Sequence, residues 1–239
     1  VIHEWKPNES TRNFGDAAYE LFLDPETMRQ WEEDPNKLHF PVGSVIANNH
    51  MQKAVDAGLT PVFHSCGYRG EELDPYLVSV SEFYGVRGPH TRAELLKHDI
   101  DQPVTDDPVY AIAERFAAGP PNGLAICVRH ITDRSERTSN TIHELGVDAV
   151  FSPAVETEAD MVEFVQKISG ARFVLAGSLH AAILADAYGV PFAPFVGNRI
   201  DCPPKWEDWL ASIGVTTVEW VDNVRDGRRW YQQSVVTAD

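Results

Sequence analysis

Two rhythms of apolar and polar residues run along this chain, and the second half shows both most clearly. Gly123–Val128 and Asp148–Phe151 are short apolar runs of the kind that fill buried strands. Thr141–Leu145 predicts a helix that ends at Gly146, and Glu156–Ser169 an amphipathic helix with Met161, Val165 and Ile168 inward. Phe173–Ala176 is another apolar run, broken by Gly177-Ser178. Leu179, Ala182, Ile183 and Ala187 then recur at helical spacing, with Ser178 as a natural N-cap and Gly189 and Pro191 as a natural stop. Pro191–Val196 predicts one more strand. Strands alternating with helices at this spacing predict a doubly wound parallel sheet.

The first half is less regular. Asn13–Leu23 predicts a helix with Phe14, Ala17, Ala18, Leu21 and Phe22 inward. Gly43–Ala47, Thr60–His64 and Leu77–Val80 are strand candidates, and Thr91–His98 predicts a capped helix. Ala117–Gly123, AAGPPNG, reads as a linker. It divides the chain into an α/β lobe over 1–117 and a second over 118–239: two Rossmann-like lobes with a cleft between them. From Pro203 a Trp-rich helix (Trp206, Trp209, Leu210) is expected to pack back across the first lobe, ahead of a strand at Thr216–Val221.

Charge narrows the partners. With 36 acidic and 20 basic residues the net charge is −16, a field that repels nucleic acid and anionic membrane. No apolar run is long enough for an integral membrane segment. The first residues lack the basic-then-apolar pattern of a signal peptide. Three widely spaced cysteines form no C-x-x-C pair, which fits a reducing cytoplasm.

Scarce basic groups make their placing informative. His180 falls in the first turn of a helix that opens at the end of a parallel strand, where free N–H groups favour an anion. Arg87, in Val86-Arg87-Gly88-Pro89-His90-Thr91, leads into another helix start and suits a carboxylate or phosphate. Arg129-His130 follows the Gly123–Val128 strand on the ligand side of the sheet. Asn13-Phe14-Gly15-Asp16 is a glycine turn entering a helix, open to close approach by a ligand. Each also has a plainer reading, as a surface ion pair, a cap or a solvated loop. G-x-G-x-x-G, P-loop, H-E-x-x-H and G-x-S-x-G motifs are absent. Asp99-Ile100-Asp101 has D-x-D spacing but lies in a polar stretch after a helix end, and nothing demands a metal.

These pieces occur together, in order, in one family. The chain resembles the polysaccharide pyruvyltransferases, particularly the bacterial exopolysaccharide ketal-pyruvate transferases. The matching residues are Asn13-Phe14-Gly15-Asp16, Val42-Gly43-Ser44-Val45-Ile46, Val86-Arg87-Gly88-Pro89-His90-Thr91 with Leu95-Leu96, and Asp107-Pro108. They continue with His130, Ser178-Leu179-His180, Ala185-Asp186-Ala187-Tyr188-Gly189-Val190-Pro191 and Pro204-Lys205-Trp206-Glu207-Asp208-Trp209. Many members have an arginine where this chain has Ser178, and a glycine where it has Ala181.

The resemblance implies a GT-B-like fold and phosphoenolpyruvate as donor substrate, with no cofactor. The product is a pyruvate ketal across two hydroxyls of a sugar, free or in a lipid-linked oligosaccharide. It implies a cytoplasmic protein, with the inner face of the membrane as a place of work. His180 carries over as the catalytic histidine and Arg87 as an anion-binding arginine. Ser178, Leu179, His130, Arg129, Asn13, Gly15 and Lys205 are the expected substrate contacts. The first lobe is expected to hold the acceptor and the second to supply the helix-start anion site. A GT-B glycosyltransferase using a nucleotide-sugar, and a non-catalytic glycan-binding relative, are the alternative readings.

Overall fold

The computed structural model describes residues 1–4, 6, 8, 11–133, 139–197 and 201–236. Two compact units emerge, and neither is a continuous stretch of sequence. Unit 1 takes Val1–Trp5, Ala18–Pro108 and Cys202–Ile213; unit 2 takes Lys6–Ala17, Val109–Asp201 and Gly214–Asp239. Each holds a parallel sheet with helices, so the chain is α/β.

In unit 1 the strands Lys37–Phe40, Thr60–Cys66 and Glu82–Val86 lie side by side in chain order. Side chains alternate between the faces of a strand. One face aligns Phe40, Phe63 and Phe83, with ring centroids 4.6 and 5.3 Å apart, and these anchor the apolar core. The other face carries His39, His64 and Tyr84. Trp31, from the helix Pro25–Glu33, stacks on both histidines at 4.8 and 4.0 Å. Further helices run over Tyr19–Phe22, Asn48–Asp56, Pro75–Ser79, Pro89–Leu96 and Pro203–Ser212.

Two sequence expectations fail here for identifiable reasons. Gly43–Ala47 is not a strand: the chain bends there, with Gly43 at φ 112°, and the strand is the preceding Lys37–Phe40. Leu77–Val80 falls largely in a helix instead. Asp74 caps its start by accepting from the N–H groups of Tyr76 and Leu77, and Pro75 occupies the first turn. A four-residue apolar run fits either element, and the cap decides it. The Asn13–Leu23 helix is present as two short pieces, Phe14–Ala17 and Tyr19–Phe22, and the change of unit falls between Ala17 and Ala18.

Unit 2 has a four-stranded parallel sheet in the order Ala149–Phe151, Ala125–Val128, Phe173–Ala176, Phe192–Pro194. The strand that comes first in sequence is therefore flanked on both sides by later ones. Its helices include Ser139–Leu145, Glu158–Ser169 and Leu179–Ala187. The second of these opens with a reciprocal capping box between Thr157 and Asp160 and buries Met161, Val165 and Ile168. Arg12–Asn13 pairs antiparallel with Ala154–Val155, fixing the N-terminal segment to this unit.

Thr216–Val221 is not a strand; only Val221 bridges to Phe195. Sequence reading also misses the helices Tyr110–Arg115 and Val224–Ser234. The latter is polar over most of its surface and buries only Val224, Gly227 and Trp230. Ala117–Gly123 lacks regular structure but is no free linker. Gly119 N–H donates to Ser169 Oγ at 2.8 Å and Asn122 N–H to Gly170 O at 2.8 Å, within unit 2. Pro and Gly signal an irregular backbone, and here that backbone packs on the end of a helix. Among the described residues no helix is long and apolar enough to cross a membrane.

Candidate active site

In an open parallel sheet, ligands bind beyond the carboxyl ends of the strands where the strand order reverses. In unit 2 that point lies between Ala125–Val128 and Phe173–Ala176, which run on into Arg129-His130 and Gly177-Ser178. The two turns are pressed together. Gly177 N–H donates to Val128 O at 2.7 Å, and a Cβ on Gly177 would lie 3.1 Å from both that oxygen and the His130 nitrogen. A glycine is what allows this approach.

The helix Leu179–Ala187 starts from this turn, buried along Leu179–Ala185 because its residues are apolar all round. Ser178 occupies the N-cap position in extended backbone, but its side chain makes no capping hydrogen bond. The helix start follows directly on the strand Phe173–Ala176, and Ala181 N–H closes its first turn on Ser178 O at 3.1 Å. His180 lies in that first turn and is buried.

Gly15 comes against the ring of His180 from the N-terminal segment. A Cβ there would fall 1.9 Å from His180 Nδ1. Phe14 holds the segment in place: its N–H donates to Pro153 O at 2.8 Å and its ring packs 4.5 Å from Phe164. Asn13 Nδ2 donates to Asp16 Oδ2 across the turn. Arg129 is buried, with its N–H bonded to Phe151 O. The structure thus brings Gly15, Ser178, Leu179, His180, Arg129 and His130 to one edge of one sheet.

Arg87 and Lys205 belong to unit 1. Arg87 follows the strand Glu82–Val86 and is fully buried. Its Nη1 donates to Ser44 Oγ at 2.9 Å and its Nη2 to Lys205 O at 3.3 Å. The carboxylates of Asp107 and Asp208 lie 3.8 and 3.7 Å from the guanidinium. A Cβ on Gly67 would meet Nη2 at 2.1 Å, so the pocket around the group is closed. Arg87, expected to bind an anion, is enclosed here by two carboxylates, a hydroxyl and a carbonyl, and these contacts tie the surrounding segments together.

Asp208 is the residue that sequence reading missed here. It sits on the helix Pro203–Ser212 yet serves the start of Pro89–Leu96, whose N-cap residue is Gly88 with no side chain to offer. Thr91 N–H donates to Asp208 Oδ1 at 2.9 Å and Thr91 Oγ1 to Oδ2 at 2.7 Å. The signal was visible: an acid beside Trp209 on the apolar side of a helix needs a buried partner. Of the D-x-D pair, Asp101 is bound to Arg92 at 2.8 Å. Among the described residues no three His, Cys, Asp or Glu side chains are placed to hold a metal ion.

A family model described as polysaccharide pyruvyl transferase matches residues 67–199, more than half the chain; the stretch includes Arg129, His130, Ser178, Leu179 and His180 and leaves Gly15 outside it. The succinoglycan biosynthesis protein ExoV of Rhizobium meliloti (strain 1021) is 33% identical over 69 residues, 29% of this chain. That match spans 22% of the relative's own length.

Proposed function

The chain belongs to the polysaccharide pyruvyl transferase family, and from that membership we propose that it transfers pyruvate from phosphoenolpyruvate to two hydroxyls of a sugar, forming a ketal. The observation that carries this reading is the setting of His180, buried in a helix first turn at the reversal point of the unit 2 sheet and held from one side by Gly15. The donor bears two anionic groups. The start of Leu179–Ala187, with Ser178 at its N-cap and Arg129 just beyond the neighbouring strand Ala125–Val128, is suited to one of these.

Attack by a sugar hydroxyl on carbon 2 requires a proton at carbon 3, and a positioned imidazole is a suitable acid for it. The second hydroxyl then closes the ketal as phosphate departs. Asn13 and Lys205 enter as substrate contacts in the same proposal, while Arg87 holds the turn Val86–Thr91 in shape. The GT-B-like layout, an acceptor on the first lobe, and a cytoplasmic enzyme working near the inner face of the membrane belong to it too. The acceptor is a saccharide, free or lipid-linked.

Calorimetric titration with phosphoenolpyruvate tests the donor. His180→Ala is expected to lower turnover by about 10²–10⁴-fold while leaving donor affinity within a few-fold of wild type. Binding of a nucleoside diphosphate, with none of phosphoenolpyruvate, would replace this reading with a nucleotide-sugar transferase.

A further inference from the structure

We infer that Thr132, His130 and Asp201 form a proton relay that takes up the proton of the attacking acceptor hydroxyl; this rests on the pyruvyl-transfer reading. All three lie in unit 2. His130 is the second residue beyond the strand Ala125–Val128, and Asp133 N–H closes the turn on His130 O at 2.9 Å. This turn is the one that Gly177 presses against, so the relay stands at the edge where His180 also lies.

The ring's protonation follows from its partners. Thr132 Oγ1 is 2.8 Å from His130 Nδ1, and the Thr132 backbone N–H points to the same nitrogen at 3.3 Å. A backbone N–H only donates, so Nδ1 is the acceptor and the neutral ring carries its proton on Nε2. Nε2 faces Asp201 Oδ2 at 3.5 Å. His130 and Asp201 are largely shielded, with side chains 17% and 16% exposed, whereas Thr132 is open to solvent. An accessible hydroxyl, a ring nitrogen with its lone pair on that hydroxyl, and a carboxylate behind the other nitrogen is the order that activates hydroxyl groups.

The proton count closes. As the acceptor oxygen bonds to carbon 2, its proton passes to Thr132 Oγ1 and the Thr132 proton moves to His130 Nδ1. The carbon 2–carbon 3 π pair takes the proton that His180 delivers to carbon 3. Asp201 stabilises the resulting imidazolium. When the second hydroxyl bonds to carbon 2, the carbon–oxygen bond to phosphate breaks and its electron pair leaves with the phosphate. The relay's proton departs on that phosphate, and the second hydroxyl's proton restores His180.

Two measurements on the full chain decide the matter. With ¹⁵N-labelled histidine, NMR is expected to show His130 protonated on Nε2 and not on Nδ1; the reverse tautomer overturns the relay whatever the activity. Phosphate release from phosphoenolpyruvate, with a methyl galactoside as acceptor probe, reads the chemistry. His130→Ala is expected to lose about 10²-fold in turnover, with partial recovery in added imidazole. Thr132→Val and Asp201→Asn are expected to lose about tenfold without a matching change in the KM for phosphoenolpyruvate, and Thr132→Ser to recover most of it. Full activity in His130→Ala overturns the relay. Absence of both donor binding and phosphate release in the wild type would instead count against pyruvyl transfer itself, while the tautomer still tests the geometry.

Discussion

Gly15 and His180 come from sequence positions far apart, yet the space between them admits no methyl group. A Cβ 1.9 Å from Nδ1 forces either the ring or the short helix Phe14–Ala17 to shift. Displacement of a reacting group by about an ångström can cost on the order of 10²-fold in rate. Gly15→Ala is therefore expected to lower turnover by at least about tenfold while leaving the thermal unfolding temperature near wild type. An unchanged turnover would show that His180 need not hold this position. Arg87 makes the opposite case. Removing its charge leaves Asp107 and Asp208 buried without their counter-ion, and breaking such a group costs about 3–5 kcal/mol. Arg87→Ala is expected to lower the unfolding temperature steeply, with Arg87→Lys in between. A variant as stable as wild type that had lost only donor binding would return Arg87 to the role of ligand contact.

The strand–turn–helix around His180 was legible because every signal in it is local: an apolar run, a Gly-Ser break, a helical repeat and a Gly-Pro stop within 25 residues. Its neighbours were not. Gly15 reaches His180, and Asp208 caps Pro89–Leu96, only through tertiary folding, and no periodicity encodes such partners. The strands Lys37–Phe40 and Glu82–Val86 were obscured by histidine, lysine, glutamate and tyrosine on one face, since that face is covered by Trp31 and reads as mixed. The same face has a pH signature. Burial holds His39 and His64 down to about 4, and does the same for His3 and His50. Unfolding returns each to its ordinary value of 6.5, so the unfolded chain binds more protons between those limits. Their contribution to stability is complete above about pH 6.5 and is lost as pH falls toward 4. Urea midpoints are expected to drop steadily between pH 7 and pH 4.5. A flat profile across that range would show that these histidines are not held neutral.

At the scale of the molecule, a net charge of −16 makes the few places that favour anions count for more. The phosphorylated donor proposed above would approach against the general field, and the start of Leu179–Ala187 is the place proposed to receive it. The two-unit organisation has a consequence of a different kind. Unit 1 draws its last segment, Cys202–Ile213, from near the end of the chain, while unit 2 begins with Lys6–Ala17. On the ribosome, then, the earlier-made bulk of unit 1 must wait. Its buried Arg87 and the start of Pro89–Leu96 lack Asp208 until most of unit 2 has already been synthesised. Neither unit can be finished in the order in which the message is read, and a truncation at any point between them removes part of both.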